Sequence, residues 1–250
     1  MASGIVEYAI KPWRRNPADG AALRGRALVM PGTGYTCDRP LLYWAAQMLV
    51  QAGWHVDRLD VHNTRHDLSQ VTPVIETAIN EWHDSAVAQA ADAGLPRPRM
   101  LLIGKSLTTL AYAHACELGV PMVLLTPVLN PAPFDPSGQR IVAPGEGAAT
   151  AASAGATEPL HASQAQDVAD QRHTDGARTD VQARSLSRTP LICAGTADQY
   201  YNAARAHALT DEVREYPAAN HSIEVPGDWR RSVGYLADAV GSIERYAASL

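Results

Sequence analysis

The stretch "LLIGKSLTTL", residues 101–110, offers two kinds of chemistry. Gly-Lys-Ser closes a phosphate-binding loop, in which backbone N–H groups and a lysine cradle the phosphates of a nucleotide. Gly-x-Ser at a strand-to-helix turn instead presents a serine hydroxyl as a nucleophile. The first arrangement needs Gly-x-x-x-x-Gly-Lys-Ser, but Arg99 stands at the leading glycine position and Met100 to Ile103 between are apolar. Those residues read as strand, with no flexible loop to wrap a phosphate. The second needs a buried strand, a tight turn with small neighbours and a helix that starts at the serine, and the sequence around Ser106 supplies all of them. The usual Gly-x-Ser-x-Gly pattern keeps Gly104 and ends on Thr108. A β-branched residue there, where the helix passes a neighbouring strand, implies slightly wider packing.

A serine alcohol is a weak nucleophile and needs a base within hydrogen-bond reach, itself oriented by an acid. In strand-turn-serine enzymes the acid follows a later strand and the histidine lies near the C-terminus. "LICAGTADQYY" places Asp198 just past a strand end, and "EYPAANHSIEVPGDW" places His221 in a loop after the last strand signal. With "PGTGYT" at residues 31–36, the chain at this point resembles the α/β-hydrolase superfamily. In particular it looks like the compact bacterial serine hydrolases with a Pro-Gly-x-Gly turn, a Gly-x-Ser elbow, a Gly-Thr-x-Asp acid loop and an Asn/Asp-His-Ser histidine loop. The resemblance covers residues 26–130 and 188–249. It implies a three-layer α/β sandwich around a mostly parallel central sheet, with Ser106 as nucleophile, His221 as base and Asp198 as the group that holds the imidazole. It further implies an oxyanion hole from the backbone N–H of Leu107 and that of Thr33, with Gly34 as the alternative to Thr33. The implied function is hydrolysis of a small-molecule carboxylic ester through an acyl-enzyme, without cofactor or metal. A thioesterase or acyltransferase with the same triad is the alternative within enzymes. A non-catalytic binding protein that keeps the fold is the alternative outside them, and Thr108 is its only hint.

Each residue also has a plainer reading. Gly32 and Gly34 serve equally for a tight turn at a strand end. Asp198 serves as N-cap of a helix over "QYYNAARAHAL", and His221 as an exposed loop histidine. Lys105 beside the serine invites a role as base, but side chains diverge at such a turn, so it is expected to be structural or on the surface. Tyr35, Tyr200 and Tyr201 lie in loops that converge on the pocket; Tyr35 and Tyr200 are the candidate substrate contacts, with core or rim packing as the other reading. Cys37 is a pocket-lining thiol or an ordinary buried one. "DVHNTRHD" holds His62 and His66, but it lacks the glutamate of His-Glu-x-x-His and runs from strand into loop, so a metal site is not favoured.

Elements able to position these groups follow from the hydrophobic pattern. "GIVEYAI", "RALVMPGTG", "WHVDRLDV", "RMLLIG", "PMVLLTPV", "TPLICAGTAD" and "EVREYP" carry strand signals, and the continuous apolar runs among them fit a parallel sheet covered on both faces. Leu41, Ala45, Met48, Leu49 and Ala52 share one face of a helix that Gly53 ends. Val71, Ile75, Ile79, Trp82 and Ala86 line a second helix, and "SLTTLAYAHACEL" is the helix fed by the strand before Ser106. Trp229, Val233, Leu236, Val240, Ile243 and Ala247 mark the last helix by three-four spacing. Strand and helix alternate, which argues an α/β layer fold in a single domain over residues 1–250. Residues 135–188 interrupt it with Ala, Gly, Ser, Thr, Asp and Gln and almost no large apolar side chain. That composition builds no core, and the segment reads as a surface excursion or as a lid over the site.

The net charge of −5 over 250 residues gives no basic field to draw nucleic acid or anionic membranes, which leaves a small-molecule partner as the expectation. Oligomeric state is not legible. Lys11 and Lys105 are the only lysines against abundant arginine and alanine, a bias that fits a GC-rich bacterial genome. Cys37, Cys116 and Cys193 form no Cys-x-x-Cys pair and no even set, so neither a disulfide framework nor a zinc site is indicated and a reducing cytoplasm is expected. The first residues lack a signal-peptide pattern, and no apolar run approaches the ~18 residues of a membrane span.

Overall fold

The computed structural model describes residues 6–17, 23–63, 71–130 and 189–250. The segment 135–188, and with it the choice between excursion and lid, lies outside the described residues. Seven strands form one sheet: β1 (Val6–Pro12), β2 (Gly25–Met30), β3 (Trp54–Asn63), β4 (Met100–Lys105), β5 (Met122–Leu125), β6 (Leu191–Gly195) and β7 (Val213–Tyr216), in the order β1-β3-β2-β4-β5-β6-β7. All neighbours run parallel except β1, which pairs antiparallel with β3 from Val6 opposite Asn63 to Pro12 opposite Asp57. Pro12 has no N–H to give a ladder, which an edge strand tolerates.

Alternation along each central strand divides the core into two layers. In β4, Leu101 and Ile103 join one buried cluster while Met100 and Leu102 join the other. The first cluster is covered by α1 (Pro40–Gln51) and α5 (Trp229–Ala248). The second is covered by α2 (Thr72–Asp92), by a 3-10 helix (Ser106–Ala111) that runs into α3 (Tyr112–Glu117), and by α4 (Ala203–Leu209). Each fully buried Leu or Ile in these layers contributes ~1.5–3 kcal/mol. Gly53 stops α1 with φ +85°, and its N–H bonds to Val50 O at 3.0 Å.

The expected stripe on α5 is half correct. Ile243 and Ala247 are buried, but Trp229 and Val233 are 66% and 55% exposed. The buried face instead runs through Ala239, Ser242, Ile243 and Tyr246. Ser242 and Tyr246 enter the core because their hydroxyls are satisfied there, by Asp238 O at 2.9 Å and Thr189 O at 3.0 Å. Trp229 stacks on the Arg230 guanidinium, 4.5 Å from the ring centroid. The helix fed by β4 also differs, since its first six residues are 3-10. Thr108 and Thr109 hydroxyls lie 3.2 Å and 2.5 Å from the carbonyls of Lys105 and Ser106, three residues back, and compete with regular α-helical pairing.

One buried charge fastens the sheet near β3. Asp57 accepts from Arg26 Nη2 and Trp82 Nε1, both at 3.0 Å, and lies 3.3 Å from His55 Nε2. Burial pushes its carboxyl pKa up, but the hydrogen bonds from His55 and Arg26 outweigh it and the net shift is downward. A carboxyl whose pKa is lower folded than unfolded contributes stability that is present above ~3.9 and lost as pH falls through the folded value. Asp57→Ala is therefore expected to cost ~3 kcal/mol at pH 7, since it strands Arg26 and Trp82 without their acceptor. Urea unfolding checks this, and the gap between the two proteins should shrink at pH 3.

Candidate active site

Parallel pairing brings the functional segments to one end of the sheet. Met30 at the end of β2 sits beside Gly104 in β4, and Gly104 sits beside Leu124 in β5. The chain leaves β4 through Ser106, whose φ of +53° is unusual for a residue with a side chain. A Cβ on Gly104 would lie 2.5 Å from Met122 Cε, at the tip of a flexible side chain, and 3.2 Å from Thr108 O, so a larger residue would have to push both aside. A Cβ on Gly32 would lie 3.1 Å from both Ser106 Cβ and Lys105 O, so the turn after β2 rests directly on the serine. Thr108 is fully buried; its hydroxyl accepts the Lys105 N–H at 2.9 Å and lies 3.3 Å from Met30 O. It thereby bonds the serine turn to the end of β2.

The structure brings Ser106, His221 and Asp198 together. His221 Nε2 is 2.8 Å from Ser106 Oγ, and His221 Nδ1 is 2.7 Å from Asp198 Oδ2. The other carboxylate oxygen of Asp198 accepts the Tyr200 N–H at 2.9 Å. A carboxylate can only accept, so Nδ1 carries the hydrogen and Nε2 is left to accept from the serine hydroxyl. The Asp198 side chain is fully buried, whereas that of His221 keeps 31% of its surface exposed. Asp198 is not the cap of the following helix: α4 starts at Ala203, and Asn202 takes the capping bond from Arg205 N at 3.1 Å.

Two loops hold the imidazole in place. Asn220 Oδ1 accepts from Ser222 N at 2.8 Å and Glu224 N at 3.1 Å, folding residues 220–224 into a tight loop in which Ile223 has φ +58°. Ala219 O takes the Ala197 N–H at 2.9 Å, and Thr196 Oγ1 takes the Ala218 N–H at 3.0 Å. The end of β6 presses on the same loop, and a Cβ on Gly195 would come within 2.2 Å of Ala219 O. The acid loop and the histidine loop are thus one bonded unit.

Residues 32–35 form a turn closed by Gly32 N to Tyr35 O at 3.0 Å and Tyr35 N to Gly32 O at 3.1 Å. Neither the Thr33 nor the Gly34 N–H takes part in that closure. Gly34 has φ +67°, and Thr33 and Gly34 are both exposed. The Leu107 N–H stands in the first turn of the 3-10 helix, where helix N–H groups lack partners within the helix.

Tyr200 sets its ring edge against His221, centroids 5.1 Å apart. Tyr35 accepts the Leu41 N–H at 3.0 Å through its hydroxyl, and burial raises the pKa of that hydroxyl. Tyr201 bonds Glu215 at 2.6 Å. Cys37 is a buried thiol between Val29 O and Leu59 O, and burial raises its pKa to about 12, which leaves it unreactive at neutral pH. Lys105 is structural and not on the surface: it is 1% exposed and spans from β4 to Thr126 and the His221 carbonyl. That burial was not legible, because the groups around it come from residues far apart in the chain.

Among the described residues no group of three or more His, Cys, Asp or Glu side chains could hold a metal ion; His62 lies on β3, and His66 is outside the described residues. An open cleft of about 330 Å³ lined by Arg97, Arg99, Met100, Val120 and Leu250 lies where β4 and β5 begin, at the opposite end of the strands from Ser106. No helix among the described residues is long and apolar enough to cross a membrane.

No family model matches the sequence, and no curated protein matches it. Solved structures resemble it in fold. Est1E from Butyrivibrio proteoclasticus, solved with ferulic acid bound, aligns over 98% of this chain and 94% of its own with a TM-score of 0.56 and 12% identity. An α/β serine hydrolase homologue from Coxiella burnetii aligns over 96% and 91% with a TM-score of 0.52 and 13% identity. A Xanthomonas campestris protein of the α/β-hydrolase superfamily aligns over 92% and 100% with a TM-score of 0.52 and 16% identity.

Proposed function

Starting from a chain that has the α/β-hydrolase fold, we propose that it is a serine hydrolase that cleaves a small-molecule carboxylic ester through an acyl-enzyme. The observation that carries the reading is the continuous chain of bonds from Asp198 through His221 to Ser106, with the serine held at φ +53° at the end of a buried strand. Ser106 Oγ attacks the ester carbonyl while His221 Nε2 takes its proton. The imidazolium formed is stabilised by Asp198, and the tetrahedral oxyanion accepts hydrogen bonds from the N–H groups of Leu107 and of Thr33, or of Gly34 in its place. Collapse breaks the bond to the leaving alkoxide, which takes the proton from His221 and departs as the alcohol. Water then attacks the acyl group, gives its proton to His221, and the second collapse releases the acid and returns the proton to Ser106. Tyr200, beside the imidazole, is the tyrosine we place against the substrate, since Tyr35 is committed to Leu41 N and Lys105. No step calls for a cofactor.

The test is a panel of p-nitrophenyl esters of graded acyl length, the matching thioesters, and added alcohol or amine acceptors. Hydrolysis of esters with higher kcat/KM than thioesters, and acid as the main product whatever the acceptor, is the expected result. Preference for thioesters, or product that forms only with an acceptor present, would replace ester hydrolysis by thioester cleavage or acyl transfer.

A further inference from the structure

Among the described residues, Lys105 is the buried charge beside the site that the hydrolytic steps leave without a task. An ammonium has three N–H donors. At Lys105 Nζ, Thr126 Oγ1 and His221 O each lie 3.1 Å away, and the Tyr35 ring lies beneath it at 4.4 Å from its centroid. Those partners occupy the donors, so none is free for an anionic group of a substrate. Nor is it a surface charge, being 1% exposed.

Such a group is costly to keep. Burial lowers its pKa from 10.5 to about 8, against the field of Asp198, which favours the charged form. Its seat is costly too: Thr126 is buried and β-branched yet has φ +45°, a conformation that threonine rarely adopts. Two unfavourable features therefore meet at one atom, Lys105 Nζ, and that atom bonds the carbonyl oxygen of the histidine that bonds Ser106. The titratable groups that face the ammonium are Tyr35 from the turn after β2, Asp198 from the loop after β6, and His221 from its own loop, with Glu224 acting on Tyr35. Thr126, at the end of β5, does not titrate.

We propose that Lys105 is the positioning residue of the histidine loop: its ammonium, seated on Thr126, grips the His221 carbonyl and locks the imidazole over Ser106. This rests on the hydrolase reading of Ser106, His221 and Asp198. A displacement of ~1 Å at a reacting group costs about 10²-fold, so a strut of this kind acts on kcat and leaves KM alone. Charged lysine is the working form, so wild-type kcat falls as pH rises through about 8. Stability runs the other way. The folded pKa lies below the unfolded one, so the charged form burdens the fold at low pH and the burden lifts between about 8 and 10.5.

The test is Lys105→Met in the full chain, which keeps the volume and removes the charge, assayed with the best ester of the panel. The expected result is kcat lowered about 10²-fold, KM within twofold, a Tm equal or higher, and no alkaline limb near pH 8. Thr126→Val keeps the branched shape without the hydroxyl; it should lower kcat in the wild-type background and add little to Lys105→Met. If Lys105→Met does not fold, Thr126→Val and its alkaline limb carry the test. Lys105→Met with wild-type kcat, with the alkaline limb intact, or with a loss confined to KM would overturn the proposal. Failure of the underlying hydrolase reading is separate: wild-type protein would then turn over no ester and take up no serine-directed probe.

Discussion

Ser106→Ala is expected to lower kcat on the order of 10⁴- to 10⁶-fold and to leave the fold intact. The serine oxygen is the atom that becomes bonded to the acyl group, and the two hydroxyls that follow it in the chain are engaged elsewhere: Thr108 with Lys105 N beside Met30 O, and Thr109 with Ser106 O. What remains is binding and the backbone N–H groups, which give a residual rate well below that of the intact set. The backbone should hold, because the turn is fixed by Gly104, Gly32 and the Thr108 bonds and not by the serine hydroxyl. Steady-state rates on the best ester of the panel, with the thermal transition measured alongside, check both parts. Retention of a tenth of the wild-type kcat in well-folded protein would remove Ser106 from the chemistry.

Asp198→Asn should lower kcat ~10⁴-fold with KM nearly unchanged. The geometry fixes which way the new amide points. Asp198 Oδ1 accepts the Tyr200 N–H, so the amide oxygen of asparagine keeps that place and its NH₂ turns toward His221 Nδ1. Two donors cannot face each other, and the imidazole must shift its hydrogen to Nε2. That nitrogen then cannot accept the Ser106 proton. Loop structure is preserved, since the Tyr200 bond and the bonds of Ala197 and Thr196 to the histidine loop do not depend on the acid. A kcat within tenfold of wild type would mean that His221 is oriented without Asp198.

Much of this was legible in the residues, for identifiable reasons. The strands β2, β4, β5 and β6 are continuous apolar runs because both faces of each are covered, and such runs announce themselves in sequence. Glycines 32 and 104 mark close approach, and the structure shows what each approaches. Direction and partner of β1 were not legible, since its pairing with β3 depends on contacts about fifty residues apart. The stripe on α5 misled at Trp229 and Val233 because hydrophobic spacing does not tell where along a helix the sheet ends, and because Ser242 and Tyr246 count as polar until their buried partners are known. Asp198 and Asn202 lie four residues apart in one loop with similar side chains, and the sequence allowed the first to be a cap; the fold gives that task to the second. Lys105 shows the limit most clearly. Its neighbour in sequence is the serine, but its partners are Tyr35, Thr126 and His221, which only the assembled sheet brings to it.

The central claim is that Ser106 is an activated nucleophile. The most direct measurement is reaction of the folded protein with a fluorophosphonate probe, located by peptide mass spectrometry and repeated on His221→Ala. The account predicts one modified residue, Ser106, at a rate that drops at least ~10³-fold without His221. Folded protein that takes up no probe, or that is labelled equally well in both forms, would contradict it and leave the fold to a protein that binds its ligand without chemistry.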